Sequence, residues 1–387
     1  MTMKIQLPTA KGGLETYRLA GEPLAVRKPK APFNRIAFAA AHVVVDPRSD
    51  ADPSGKPDID WKATLAYRRY LLDQGFGIAE AMDTSQRGMG LDWARALELI
   101  SRSLADASSR KGALIYSGCG TDHLDPRQAH SLDDVVIAYL EQLHAIQKLG
   151  GRIILMASRA LARVARSPDD YIKVYSRVLA DAEHPVILHW LGEMFDPELK
   201  GYWGASDFAR AMKTCLDTIG ANLPNIDGIK ISLLDASKEI DMRRQLPAPV
   251  KMYTGDDFNY PELIEGDARG HSHALLGIFD AIAPAASQSL AALARGDTRK
   301  FRTLLDPTVP LSRLIFRPPT QYYKTGIVFL AWLNGHQDHF IMVNGAQAMR
   351  PLPYLAGIFR LADQARLLRK PDLAVARMKQ LLALHGL

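Results

Sequence analysis

The stretch "NIDGIKISLLD", residues 225–235, places Lys230 in an apolar, β-branched run that otherwise reads as a buried strand. Lysine is almost never buried unless something pairs with it or uses it. An amine in apolar surroundings loses the hydration of its charged form, so its pKa falls and a neutral, nucleophilic fraction appears near pH 7. Such an amine condenses with a ketone or aldehyde to a Schiff base, whose protonated form is an electron sink for making or breaking a C–C bond. The other reading is structural, with Lys230 in an ion pair to Asp256, Asp257 or Glu80. Position alone leaves both open.

Further chemistry-bearing residues lie at the ends of other strand-like runs. His189 stands one residue before a tryptophan and could shuttle protons as a neutral imidazole or simply serve the core. Asp83, Thr84 and Ser85 precede a helix beginning near Leu91, where hydroxyls and free amides can hold a carboxylate or merely cap a turn. Gly118 opens a glycine-rich loop, Ser232 follows Lys230 by two, and Asp256 and Asp257 end a "YTGDD" stretch; all four are candidate substrate contacts. As an alternative, His42, Glu80, His189 and Asp256 form a donor set that could hold a divalent metal ion. No His-Glu-x-x-His spacing accompanies it.

The elements that must position these residues repeat along the chain. Strand-type apolar runs occupy 35–41, 77–81, 113–117, 152–157, 185–189, 227–232, 249–254 and 274–278. Amphipathic helices are predicted at 60–73, 92–107, 132–149, 168–182 and 206–219. Strands alternating with helices mean a parallel sheet covered by helices, and eight such units fit a closed (β/α)8 TIM barrel. A doubly wound open sheet is the competitor, but no Gly-x-Gly-x-x-Gly turn follows the first run. Residues 1–32 mix Gly, Pro, Lys and Arg without a period and read as an N-terminal arm; 33–282 is the barrel. From 283 to 387 the pattern is helical only, at 284–294, 321–334, 354–368 and 372–385, an extension expected to pack on the barrel.

Composition sets the class. The 387 residues are 47% hydrophobic and 23% charged, enough for a large core. The net charge of +6 comes from basic residues scattered along the sequence, so we expect no nucleic acid. The two cysteines, Cys119 and Cys215, exclude a disulfide framework and fit a reducing compartment. No apolar run reaches the roughly 20 residues of a membrane span, and the N-terminus lacks a signal-peptide pattern. We therefore expect a cytoplasmic protein with no membrane partner.

In order and spacing, residues 35–300 resemble the dihydrodipicolinate synthase/N-acetylneuraminate lyase superfamily of class I, Schiff-base aldolases. Gly228-Ile229-Lys230 stands where that superfamily has its sixth-strand lysine, and Asp83-Thr84-Ser85-Gln86-Arg87 resembles its second-strand loop. Residues 58–75 resemble its first helix, Ser117 to Gly120 its third-strand end, and Tyr253-Thr254-Gly255-Asp256-Asp257 its seventh. The resemblance implies a (β/α)8 barrel with a helical C-terminal extension, Thr84 in a proton relay, Ser85 on an α-keto carboxylate, no cofactor, and a homo-oligomer, dimer or tetramer. His189 falls where the superfamily has an acid/base tyrosine, Met194 near its carboxylate-binding arginine, and no tyrosine occurs around 157–160. Dihydrodipicolinate synthase activity itself is thus not expected.

The resulting expectation is a carbon–carbon lyase, aldolase or related dehydratase acting on an anionic keto acid or sugar-derived carbonyl compound. Lys230 would form the imine and His189 would move protons. A metal-dependent sugar isomerase, epimerase or lyase on the same barrel is the alternative, and a non-catalytic ligand-binding barrel the third reading.

Overall fold

The computed structural model describes residues 3–20, 22–52 and 58–387. These fall into two compact units. One comprises Arg35–Ala41 and Gly77–Leu276; the other gathers the described residues of Met1–Asn34, His42–Phe76 and Gly277–Leu387.

The first of these units contains a closed barrel of eight parallel strands. In chain order they are β1 (Ala37–Ala40), β2 (Gly77–Glu80), β3 (Ile115–Cys119), β4 (Arg152–Leu155), β5 (Val186–Leu191), β6 (Ile226–Ser232), β7 (Lys251–Thr254) and β8 (His273–Leu276). Each pairs with its sequence neighbours, and β8 closes on β1 through Ala274 opposite Ala37. All eight strand-like runs in the sequence are therefore strands. They were legible because a strand covered on both faces reads as an unbroken apolar run.

Side chains of alternate residues fill the barrel. Phe38, Ala79, Ile154, Ile187, Tyr253 and Leu275 form one buried cluster, with Tyr116 and Met156 packed against it. The parity of each strand follows from that cluster. His189 lies two residues beyond Ile187, on the same face. Gly228 would collide with the Tyr253 ring if it bore a Cβ, at 2.6 Å, so Gly228, Lys230 and Ser232 share the interior face. Glu80, one residue after Ala79, faces the other way.

The helices of this unit begin where the sequence supplies caps. Asp92 caps Trp93–Ala107 and Ser158 caps Arg159–Val164, while Ser131 and Ser167 form capping boxes for Leu132–Lys148 and Pro168–Ala180. Each such cap stabilises its helix by about 1 kcal/mol.

In the other unit the helices include Trp61–Asp73, Ala283–Leu293, Thr298–Leu305, Val309–Ile315, Tyr323–Leu333, Leu352–Gln364 and Pro371–Leu384. Two differences from the sequence reading arise here. Residues Lys4–Pro8 and Leu14–Arg18 pair as an antiparallel hairpin, with Lys4 opposite Arg18, inside what reads as an arm. Only Ile5 and Leu7 alternate as buried apolar positions in its first strand, too short a pattern to stand out. Thr298–Leu305 and Val309–Ile315 were also not predicted, because each is short and Pro307 and Pro310 interrupt the period there.

Candidate active site

Lys230 sits on the interior face of β6 with only 8% of its surface exposed. Burial lowers its pKa, while the charges of Asp83 and Asp257 act in the opposite direction; the net shift is downward. Two of the three carboxylates considered as its ion-pair partners are engaged elsewhere. Glu80 accepts from the Ala81 amide at 2.9 Å and from the Ser103 hydroxyl at 2.5 Å, on the helix side of β2. Asp256 accepts from the Phe258 and Asn259 amides at 2.8 and 3.0 Å and from the Asn259 side chain at 2.8 Å, capping the turn after β7. Asp257 is the one that reaches Lys230, through its charge.

Room for the lysine comes from Gly255, immediately after β7. A Cβ on Gly255 would fall 2.7 Å from Lys230 Cε and 2.3 Å from Ser232 Oγ. Here the glycine is a packing requirement.

His189 is the direct neighbour of Lys230 across the β5–β6 pair. It is fully buried, and burial together with the Lys230 charge holds its pKa well below the ordinary value near 6.5. The imidazole is thus neutral at pH 7. Its Nε2 lies 3.2 Å from Ser232 Oγ, and its buried Nδ1 has no hydrogen-bond partner among the described residues.

The loop after β2 makes a single 3₁₀ turn, Asp83–Ser85. Ser85 donates its hydroxyl to Met82 O at 2.7 Å, so that proton closes the turn and the oxygen is left to accept. Thr84 is buried beside it. The flanking Ala81 and Gln86 adopt left-handed φ of 52° and 65°, backbone strain of the kind concentrated at functional sites.

Arg87 fixes this loop, a role no local pattern could reveal. Its guanidinium grips Asp122 at 3.0 and 2.7 Å and also donates to Gly118 O at 2.7 Å, Ala81 O at 3.2 Å and Gln142 Oε1. Burial alone would raise the Asp122 carboxyl, but the Arg87 charge and hydrogen bonds outweigh it and hold the pKa below the usual value. Gly118 is likewise spoken for: its carbonyl serves Arg87, and a Cβ there would meet Met156 Sδ at 2.7 Å.

A pocket of about 160 Å³ opens among the loops after β2, β3, β4 and β5. Asp83, Thr121, Met156, Arg159 and Asp196 line it. Arg159, absent from the sequence candidates, sits at the first turn of its helix and donates to Asp196 at 2.6 Å. Its nearest signal was the Ser158 cap, which marks the end of the fourth βα loop. By contrast, Tyr253 points its hydroxyl away from the lysine to Asp227, at 2.7 Å.

The alternative metal set is not assembled. His42 is hydrogen-bonded through Nδ1 to Asp280 at 2.8 Å in the other unit, and Glu80 and Asp256 have the local partners given above. Among the described residues no three of His, Cys, Asp and Glu are grouped to hold a metal ion. Both cysteines are buried and free, and no described helix is long and apolar enough to cross a membrane.

A family model described as "Protein of unknown function (DUF993)" matches residues 5–387. The chain belongs to the DUF993 family. No curated protein matches its sequence. Among solved structures, this DUF993 chain is similar to YagE, a prophage protein of the dihydrodipicolinic acid synthase family from E. coli K12 in complex with pyruvate. The TM-score is 0.67 at 14% identity, over 86% of this chain and 99% of that one. It is also similar to dihydrodipicolinate synthase from Acinetobacter baumannii complexed with pyruvate, with a TM-score of 0.62 at 18% identity over 86% and 99%. The 4-hydroxy-tetrahydrodipicolinate synthase from Methylacidiphilum fumariolicum SolV gives 0.64 at 15%, over 90% and 99%. The barrel fold is accordingly shared with these dihydrodipicolinate synthase structures.

One buried acid near the site makes stability depend on pH. Glu239, on the helix Ala236–Arg243 after β6, accepts from Ser272 at 2.6 Å, and its Oε2 has no partner among the described residues. Burial pushes its pKa from about 4.5 up to about 8. Below pH 4.5 folded and unfolded chains both carry the proton, so nothing is lost. Between 4.5 and 8 only the folded chain keeps it, and stability falls by about 1.4 kcal/mol per pH unit. Glu239→Gln removes this slope. Urea unfolding at pH 5, 6.5 and 8 is expected to show the variant gaining on the parent as pH rises; parallel curves would contradict the assignment.

Proposed function

We propose that this protein is a carbon–carbon lyase, an aldolase or a related dehydratase, acting on a keto acid or sugar-derived carbonyl compound through a Schiff base at Lys230. The observation that carries it is the burial of the Lys230 amine on the barrel's interior face beside a neutral, buried His189. Desolvation favours the neutral amine, whose lone pair attacks the substrate carbonyl carbon. The carbinolamine loses water to give an iminium.

The iminium nitrogen then accepts the electron pair of the cleaving C–C bond in an aldolase. In a dehydratase it stabilises the carbanion formed by loss of an adjacent proton, and the β-hydroxyl leaves as water. Either course needs a base on the substrate. His189 fits that role, taking the proton of the hydroxyl that becomes the new carbonyl, or the proton next to the imine. Burial and the charge on Lys230 both depress the His189 pKa, which keeps the imidazole available as a base. The two pyruvate-bound barrels support a keto acid as the partner carbonyl.

Asp83, Thr84, Ser85, Ser232 and Asp257 are the residues we assign to substrate contact, with Thr84 available for proton relay. Gly118 and Asp256 support the loops. The test is substrate-dependent inactivation: borohydride plus a candidate 2-keto acid or sugar should inactivate irreversibly, and either alone should not. A carbonyl substrate that turns over yet gives no inactivation under borohydride would sink the imine.

A further inference from the structure

Five of the basic residues that look scattered in the sequence converge in space. A surface pocket of about 360 Å³ is lined by Arg27, Lys28 and Lys30 from the N-terminal segment and by Arg295 and Lys300 from the end of one helix and the start of the next. Among the described residues no Asp or Glu lines it. All five cations are solvent-exposed, and the floor is apolar, built from Pro29, Pro32, Ala291 and Ala294. Lys28 has an acid at hand, Asp73 at 3.1 Å.

The arrangement is held in place. Gln288, on the helix Ala283–Leu293, donates to Ala25 O at 2.9 Å, and Asn34 donates to Leu293 O at 3.3 Å, tying the N-terminal segment to that helix on both sides of the cations. Like charges gathered in one place repel one another, and a hollow of this size is within the range of small-molecule sites. Five of the chain's 48 lysines and arginines face this one hollow.

We infer that this pocket binds a small, multiply charged phosphate compound. Arginine forks and lysine point charges from several directions suit tetrahedral groups that accept through three oxygens each. A concave hollow rather than a flat stripe selects a small ligand over a duplex or a bilayer. The site belongs to the unit that does not contain Lys230. It is independent of the imine chemistry.

Inorganic tripolyphosphate is the probe, titrated calorimetrically into the full-length protein. Saturable 1:1 binding is expected for the parent. Arg295→Gln combined with Lys300→Gln should weaken it at least about tenfold, since hydrogen bonds from charged groups are the stronger class. Arg295→Lys with Lys300→Arg should retain it, and Lys213→Gln, in the other unit, should leave it unchanged. Absence of saturable binding overturns the proposal, as does equal weakening by Lys213→Gln. Citrate binding as tightly overturns the phosphate class. Displacement of tripolyphosphate by duplex oligonucleotide or anionic vesicles at equal phosphate concentration overturns the small-ligand assignment.

Discussion

Lys230→Met and Lys230→Arg are both expected to lower turnover by at least about 10³-fold, the scale on which removal of a nucleophile acts. The pair separates the two roles a buried lysine can have. If Lys230 served as a cation for Asp83 and Asp257, arginine would preserve that charge and with it much of the activity. If its amine is the nucleophile, arginine fails as completely as methionine, because the guanidinium does not deprotonate near neutral pH. Steady-state kinetics alongside circular dichroism reads the outcome. Activity retained in Lys230→Arg would assign a structural cation instead.

His189→Gln is expected to cost about 10²–10⁴-fold in kcat, the usual contribution of a positioned acid or base. Glutamine keeps a polar group near Ser232 but cannot carry the proton. The imine should still form, so borohydride trapping survives while turnover falls. The pH profile adds a second signature. Burial and the Lys230 charge hold His189 well below its ordinary value, so the base stays neutral as pH drops through 6.5. The parent protein should therefore show no loss of kcat from His189 between pH 8 and 6.5, and a profile breaking near 6.5 in the parent, absent in the variant, would contradict the buried, neutral imidazole.

How far the sequence reached depended on the range of each interaction. The barrel was legible because each strand carries its own signal, an apolar run bounded by turns, and the helices after them carry Asp or Ser caps. Lys230 was legible for the converse reason, a charge breaking such a run. What lay beyond reach was set by partners distant in sequence. Arg87 is buried by contacts to Asp122 and Gln142, 35 and 55 residues away, so the likeness of its loop to a second-strand loop left the role of this side chain unread. Glu80 and Asp256 looked like site carboxylates by position. Strand parity turns the first outward to Ser103, and an Asx-type turn claims the second. The basic pocket unites residues 27–30 with 295–300, which no window along the chain could join.

The most direct measurement is peptide mass spectrometry of the protein after borohydride reduction with a turned-over carbonyl substrate. We expect one reduced adduct, on the peptide containing Lys230, with the mass of the substrate-derived amine. An adduct confined to other lysines, or an unmodified Lys230 peptide in protein inactivated under these conditions, would contradict a Schiff base at Lys230.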